Sequence, residues 1–214
     1  MRRIKHQRLN AGQGDMTALL NAPPPTSPFA LPCLSPVLQF FPELLLKAQR
    51  VKVAFFDVDG VLTDGGLYLS EHGESLKRFN TLDGHGLKLL QKAGITPAVI
   101  TGRDSPAVRA RLTALGITHA HFGTENKLPA ALQMLSALGL GWPQAAAMGD
   151  DWPDLPVMRR AAISCAPANA HPEVKGVASY TTAEQGGYGA ARAFCDMLLA
   201  ASGQYNDLLQ AYSA

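Results

Sequence analysis

The chain has 214 residues, of which 47% are hydrophobic and 17% are charged. This length suffices for one domain with a buried core, and this composition excludes a chain that is disordered throughout. The net charge of +2 argues against a nucleic-acid-binding protein, because such proteins usually carry a concentrated basic surface.

The first 38 residues are expected to form a flexible, proline-rich leader. The prolines at positions 23–25, 28, 32 and 36 lack a backbone donor and disfavour both helices and central strands. The basic start at residues 1–5 is not followed by the hydrophobic segment of a signal peptide, and Met16 is an alternative translation start. Since no apolar run approaches the ~20 residues that span a bilayer, we expect a cytoplasmic protein with no membrane partner.

Beyond the leader, apolar and amphipathic segments alternate. After a short helix predicted within residues 37–50, apolar runs that suit strands buried in a parallel sheet cover residues 51–58, 95–100, 120–122, 145–148, 162–165 and 178–181. Amphipathic stretches that predict helices cover residues 83–93, 106–115, 127–138, 155–160 and 189–200. The alternation indicates an α/β fold, a Rossmann-like parallel sheet flanked by helices. We assign one domain to residues 39–203 and a C-terminal tail outside the core to residues 204–214.

Residues 61–80 interrupt the alternation. Two strand-like runs, at 66–70 and 76–80, enclose the polar segment EHGE at 71–74. Two short runs around such a segment predict a β-hairpin inserted after the first strand.

The three cysteines, Cys33, Cys165 and Cys195, are widely spaced and form no CxxC pair. A zinc site or a disulfide framework is therefore not expected. Reduced thiols that pack as small apolar groups fit the cytosolic setting better.

Polar side chains follow four of the predicted strands, and ligands of an open parallel sheet bind at the carboxyl ends of its strands. These residues are Asp57, Asp59, Thr63 and Asp64 after the first strand, Thr101, Gly102, Arg103 and Asp104 after the second, Lys127 after the third, and Asp150, Asp151 and Asp154 after the fourth. So many carboxylates in one crevice repel each other unless a cation compensates them. Mg²⁺ prefers oxygen ligands and also contacts substrate phosphates, so the pattern predicts a magnesium-dependent phosphoryl-transfer site.

Two aspartates of this set suit covalent phosphate transfer. A carboxylate can act as a nucleophile and form an aspartyl-phosphate, and Asp57 is the candidate. A carboxyl group two residues further on points the same way along a strand, so Asp59 can protonate the leaving alcohol and later deprotonate the attacking water.

Four motifs resemble those of the haloacid dehalogenase superfamily of phosphatases. The sequence DVDGVLTDG at 57–65 resembles its first motif, Thr101 its second, Lys127 its third, and Gly149-Asp150-Asp151 with Asp154 its fourth. The segment between residues 65 and 95 is too short for the large cap domain that many members carry. The hairpin, AHP at 170–172 and GGYGA at 186–190 are similar to the capless 3-deoxy-D-manno-octulosonate 8-phosphate phosphatase family.

This resemblance implies a Mg²⁺-dependent phosphoric monoester hydrolase that acts on a small phosphorylated sugar acid in lipopolysaccharide precursor biosynthesis. It also implies a homotetramer in which neighbouring subunits close the site. By the same resemblance Asp57 is the nucleophile and Asp59 the general acid/base, while the Asp57 carboxylate, the Asp59 backbone carbonyl and Asp150 bind Mg²⁺. The residues that the resemblance implies as phosphate or substrate contacts are Thr101, Gly102, Arg103, Lys127, Lys77, Asn80 and Gly84. It also implies that Asp151 supports metal-bound waters or Lys127.

The chain departs from the family pattern at three positions that bear on substrate contacts. Leu82 stands where some members have Arg, Tyr188 lies between glycines where Arg is frequent, and Ala193 replaces a common Glu. Two other functions stay open: a phosphatase for a nine-carbon, sialic-acid-type 9-phosphate, and a regulatory protein that is phosphorylated on Asp57 without catalysis. Asp154 is equally compatible with a helix-capping role.

Overall fold

The computed structural model describes residues 34–213. Most of the predicted leader, together with Cys33, lies outside the described residues. Within them, none of the helices is long and apolar enough to cross a membrane. Cys165 and Cys195 are both buried and free, as expected from their spacing.

The described residues form eight strands. In chain order these are β1 (Val53–Phe56), β2 (Tyr68–Ser70), β3 (Gly73–Leu76), β4 (Thr96–Ile100), β5 (His119–His121), β6 (Ala145–Met148), β7 (Ile163–Ala166) and β8 (Tyr180–Thr181). Six of them form one sheet in the order β5-β4-β1-β6-β7-β8, and every neighbouring pair is parallel. This confirms the predicted parallel sheet, with β1 between β4 and β6.

The described residues also form eight α-helices, the first of which precedes β1. They are α1 (Pro42–Ala48), α2 (Thr81–Lys92), α3 (Pro106–Leu115), α4 (Lys127–Leu138), α5 (Leu155–Met158), α6 (Pro172–Val177), α7 (Ala190–Ala201) and α8 (Tyr205–Ala211). Helices α6 and α8, which have six and seven residues, were not predicted from the sequence. Gly116 and Gly139 end α3 and α4 in the left-handed conformation, with φ of 69° and 65°, which glycine adopts readily at the end of a helix.

The core lies on both faces of the sheet. Alternate residues of a strand point to opposite faces, so Ala54 and Phe56 pack in one cluster and Val53 and Phe55 in the other. The first cluster includes buried residues of α2 and α7, and the second includes buried residues of α4. A strand that is apolar at every position is therefore what this three-layer arrangement requires.

The hairpin is present, but its second strand is not where the sequence predicted it. It spans Gly73–Leu76 rather than residues 76–80, and it pairs antiparallel with Tyr68–Ser70. Gly73 adopts a φ of 100°, which glycine tolerates best, and this conformation starts the strand immediately after a tight turn. Phe79 instead forms an isolated bridge with Thr63, so the chain is already returning to the sheet there.

We expect Phe194→Ala to lower the free energy of unfolding by about 3–5 kcal/mol, because it leaves a cavity in a packed core. Phe194 is fully buried in α7, and its ring meets that of Phe56 edge to face at 6.1 Å between centroids. Urea titration followed by circular dichroism measures the change. The control Leu46→Ala removes a side chain that is 64% exposed and should shift stability by no more than about 0.5 kcal/mol. Equal effects of the two changes would contradict this assignment of the core.

Candidate active site

The polar strand ends converge in one open cavity of ≈ 460 Å³. It is lined by Asp57, Asp59, Gly102, Arg103, Glu125, Lys127, Asp150, Asp151, Pro153 and Asp154. These residues follow β1, β4, β5 and β6, which are neighbours in the sheet, so their carboxyl ends meet at one edge. Topology thus brings together residues that are up to about a hundred positions apart in the chain.

A buried ion-pair network lies at the base of the cavity. The Lys127 ammonium donates to Asp57 Oδ1 at 2.6 Å and to Asp154 Oδ1 at 2.6 Å. All three side chains are less than a tenth exposed. Burial acts to lower the pKa of Lys127, but the two carboxylates outweigh it, so the pKa is raised and the ammonium stays charged.

Asp154 combines two roles. Its Oδ2 accepts hydrogen bonds from the backbone N–H groups of Asp150 and Asp151 at 3.1 and 3.3 Å, while its Oδ1 holds Lys127. Asp154 precedes α5, but its side chain makes no capping hydrogen bond to that helix. The carboxylate instead accepts from backbone N–H groups that precede it and holds Lys127, so the helix-cap alternative is not realised. The carboxylate beside Lys127 that was expected from Asp151 comes from Asp154, since Asp151 Oδ1 accepts from the Trp152 N–H instead.

Three carboxylates crowd around one ammonium. Oxygen atoms of Asp57, Asp150 and Asp154 all lie within 4.8 Å of one another. Burial raises the pKa of Asp57 to about 7, with the charge of Asp154 adding to this and Lys127 opposing it. Burial likewise raises the pKa of Asp150 to about 8, with further contributions from Asp57 and Asp154. A single lysine does not neutralise this cluster.

The donor set fits a hard divalent cation. It consists of oxygen atoms only, and Mg²⁺ is usually held by one or two carboxylates, with waters and a substrate phosphate completing its octahedral shell. Asp154 is already engaged by Lys127 and two amides, so Asp57 and Asp150 are the carboxylates with free acceptor capacity. Both belong to the ligand set that the sequence resemblance implied.

Asp59 points to a different group of partners. Its Oδ1 lies 2.5 Å from Lys77 Nζ and 3.5 Å from Thr63 Oγ1, and its Oδ2 lies 3.8 Å from Arg103 Nε. Lys77 comes from the chain just after the hairpin, and Arg103 follows β4. The two aspartates of the first motif thus contact different cationic side chains: Asp57 contacts Lys127, and Asp59 contacts Lys77 and Arg103.

The residues after β4 lie beside the acidic cluster. Gly102 and Arg103 line the cavity, whereas Thr101 is 1% exposed and its Oγ1 accepts a hydrogen bond from the Arg103 backbone N–H. Arg103 has a half-exposed side chain. The loop therefore presents a backbone without a side chain and a guanidinium at one side of the cavity, while the Thr101 hydroxyl is buried.

Asn80 and Gly84 do not line the cavity, and their contacts are within the fold. The Asn80 side chain caps α2 by accepting from the Leu82 N–H at 2.8 Å, and its amide donates to the Gly187 carbonyl. A Cβ at Gly84 would overlap the present position of the Arg111 guanidinium, so this glycine packs directly against Arg111. The expected contacts of Asn80 and Gly84 with the substrate stay predictions.

Glycines allow the acidic loops to approach each other. A Cβ at Gly60 would overlap the Asp150 carboxylate, and one at Gly149 would overlap Asp154. A Cβ at Gly186 would overlap the backbone of Gly60. The Gly187 N–H donates to the Val61 carbonyl at 3.0 Å, which fixes this second loop against the first motif.

The three departures from the family pattern lie away from the acidic cluster. Leu82 is 55% exposed at the start of α2, and Tyr188 is 52% exposed, with the Arg78 guanidinium 4.2 Å from its ring centroid. Ala193 lies within α7. None of the three lines the cavity.

Sequence reasoning left Glu125 and Glu74 out of the site. Glu125 lines the cavity, and Glu74 binds the Lys77 ammonium at 3.1 Å. Glu125 lies two residues before Lys127 in the loop after β5, and that position could have identified it. Nothing in the pattern around Glu74 indicated its contact, because it depends on how the hairpin folds back.

The fold is a parallel sheet with a DxD motif after its central strand, and a buried lysine faces a GDD motif. Together these features define a haloacid dehalogenase-like hydrolase. A family model described as haloacid dehalogenase-like hydrolase matches residues 122–194. This segment contains Lys127 and the GDD motif but not the first motif.

Curated relatives narrow the class further. The chain is 41% identical over 175 residues to the 3-deoxy-D-manno-octulosonate 8-phosphate phosphatase of Escherichia coli (strain K12), covering 82% of this chain and 92% of the relative. The Yersinia pestis enzyme of the same name is 40% identical over 169 residues, covering 79% and 89%.

Solved structures agree with these relatives. A probable phosphatase from Pseudomonas syringae superposes with a TM-score of 0.79 at 46% identity, covering 80% of this chain and 98% of that one. The 3-deoxy-D-manno-octulosonate 8-phosphate phosphatase of Moraxella catarrhalis, in complex with magnesium ion, phosphate ion and KDO, gives a TM-score of 0.77 at 35% identity, covering 79% and 98%. The chain belongs to the 3-deoxy-D-manno-octulosonate 8-phosphate phosphatase family and is a phosphoric monoester hydrolase.

We expect Mg²⁺ to raise the melting temperature more at about pH 8.5 than at about pH 6. Folding raises the pKa of Asp57 and Asp150 from 3.8 to about 7 and about 8, so their contribution to stability is full below 3.8 and is lost as the pH rises through 7 and 8. A cation that binds both carboxylates relieves this loss only where they are ionised.

Thermal unfolding with Mg²⁺ and with a chelator at both pH values provides the measurement. Asp150→Asn is the matched variant and should lose most of the stabilisation by Mg²⁺. If Mg²⁺ stabilises the protein equally at both pH values, the assignment of the cation to these carboxylates is wrong.

Proposed function

We propose that the protein is a Mg²⁺-dependent phosphatase that hydrolyses 3-deoxy-D-manno-octulosonate 8-phosphate to 3-deoxy-D-manno-octulosonate and phosphate. The observation that carries this proposal is the position of Asp57, which lies at the cavity floor between Lys127 and Asp150. The names of the relatives supply the substrate, and the acidic cavity supplies a site that suits a phosphate only with a compensating cation.

In the first half of the reaction, the Asp57 carboxylate attacks phosphorus while the bond from phosphorus to the sugar oxygen breaks. Asp59 donates a proton to this departing oxygen, which leaves as the alcohol. In the second half, water attacks the aspartyl-phosphate and gives its proton to Asp59. The bond from phosphorus to Asp57 then breaks, so that phosphate is released and both aspartates regain their starting states.

Other residues hold the phosphate in line with Asp57. Lys127 supplies a buried positive charge, and Thr101, Gly102 and Arg103 supply donors from the loop after β4. Asp57, Asp150 and the Asp59 backbone carbonyl would hold Mg²⁺. When bound, the ion offsets the combined negative charge of the carboxylates and the phosphate. Asp154 keeps Lys127 aimed at Asp57 through its 2.6 Å contact.

We also place the protein in the cytoplasm, in lipopolysaccharide precursor biosynthesis, as a homotetramer whose subunits close each other's sites. The hairpin supports an assembly, since Leu67, Leu69 and Leu76 are 45%, 68% and 51% exposed on it. We take these exposed apolar side chains of the hairpin as part of the contact surface of that assembly. Light scattering of the full chain tests this assembly, and a monomer would contradict it.

We expect fast phosphate release from 3-deoxy-D-manno-octulosonate 8-phosphate with Mg²⁺ and loss of it with a chelator. The same assay is run separately with alternative substrates, namely a nine-carbon, sialic-acid-type 9-phosphate and common sugar phosphates. Faster turnover of the nine-carbon substrate would reassign the substrate and keep the phosphatase. An absence of turnover on every ester would favour a phosphorylated regulatory protein.

Asp59→Asn is expected to lower kcat by about 10²–10⁴-fold, because the general acid and base is removed. Mg²⁺ affinity should change little, since the ion is assigned to the backbone carbonyl at this position. Steady-state kinetics and calorimetric Mg²⁺ titration measure the two quantities. Asp207→Asn, on the exposed face of α8, is the control and should behave like the wild type. Near-normal turnover by Asp59→Asn would refute its role.

A further inference from the structure

A lysine is buried at the foot of an otherwise exposed hairpin. Residues of β2 and β3 are mostly exposed, yet the Lys77 side chain is only 1% exposed. Lysine is almost never fully buried unless its charge is paired. The burial of Lys77 therefore requires specific partners.

Both partners are carboxylates. Lys77 Nζ lies 2.5 Å from Asp59 Oδ1 and 3.1 Å from Glu74 Oε2. An ammonium has three donors, so these contacts use two of them. Lys77 is not among the residues that line the cavity. It is placed to act on Asp59 rather than on a substrate.

Asp59 needs such support because of its place in the fold. It lies in the turn after β1, outside any strand or helix, so no ladder of backbone hydrogen bonds fixes the direction of its side chain. Lys77 holds Oδ1, and Arg103 approaches Oδ2 from the opposite loop at 3.8 Å. Groups that transfer protons act only when they are held close to the productive geometry.

Glu74 completes the arrangement at a cost in stability. Its Oε2 binds Lys77, whereas its Oε1 is buried and has no hydrogen-bond partner among the residues that the structure describes. An unsatisfied buried acceptor opposes folding. Departures of this kind from full hydrogen bonding are expected at residues that serve a functional site.

We propose that Lys77, anchored by Glu74, is a positioning residue that fixes the Asp59 carboxylate for proton transfer to the leaving oxygen and from water. This inference rests on the proposed function, in which Asp59 is the general acid and base. The hairpin thereby contributes to catalysis through Asp59, and Lys77 moves from an expected substrate contact to a support of the catalytic group.

The experiment compares the wild type, Lys77→Met and Lys77→Arg in the full chain. Lys77→Met should lower kcat about 10–100-fold, a part of what a general acid and base contributes, and leave KM within about threefold. Lys77→Arg, which keeps the charge, should recover part of the loss, and Glu74→Gln should show a smaller decrease in kcat. Mg²⁺ affinity, measured by calorimetry, should not change. Lys88→Met, on the exposed face of α2, is the matched control.

Three results would overturn the inference. Unchanged kcat in Lys77→Met would show that Asp59 needs no such support. A raised KM with unchanged kcat would show a substrate contact, and equal losses in Lys77→Met and Lys77→Arg together with weaker Mg²⁺ binding would show a purely structural role. Failure of the proposed function is separate and visible in the wild type, because an enzyme inactive on every phosphate ester refutes both.

Discussion

The site depends on one buried interaction, the contact of the Lys127 ammonium with the carboxylates of Asp57 and Asp154. Moving a charge out of water costs several kcal/mol, and removing one partner leaves the other charges uncompensated. Asp150 adds a third carboxylate to this cluster, so the lysine balances only part of the negative charge. The excess negative charge of the carboxylates favours the binding of a divalent cation. A bound cation would in turn attract the negative charge of a phosphate ester.

The fold makes this interaction possible with short loops. Because β5, β4, β1 and β6 are adjacent in this order, short loops after β5, β1 and β6 bring Lys127, Asp57 and Asp154 together. Packing of α2 and α7 on one face and α4 on the other covers both faces of the sheet, so the polar groups of the site lie at the carboxyl ends of the strands. The glycines at 60, 149 and 186 then let these loops approach more closely than any side chain would allow.

The strand-end argument predicted Asp57, Lys127 and Asp150 from the sequence, since apolar runs locate strands and the polar residues after them locate the edge. Their convergence is observed, while their chemical roles stay proposals. The contact of Asp154 with Lys127 could not be predicted from the sequence. It requires the 3-10 turn at Trp152–Asp154, which brings the Asp154 carboxylate to Lys127. The contact of Lys77 with Asp59 depends on where the hairpin turns, and the register of an exposed hairpin carries no periodic signal.

The central claim is that Asp57 forms a covalent bond to phosphorus. Borohydride reduces an aspartyl-phosphate to homoserine, so brief turnover of 3-deoxy-D-manno-octulosonate 8-phosphate with Mg²⁺, quenching, reduction and peptide mass mapping reveal the phosphorylated residue. The account predicts homoserine at position 57, present only when both substrate and Mg²⁺ are supplied. Homoserine at another aspartate, or none at any position while phosphate is released, would contradict it.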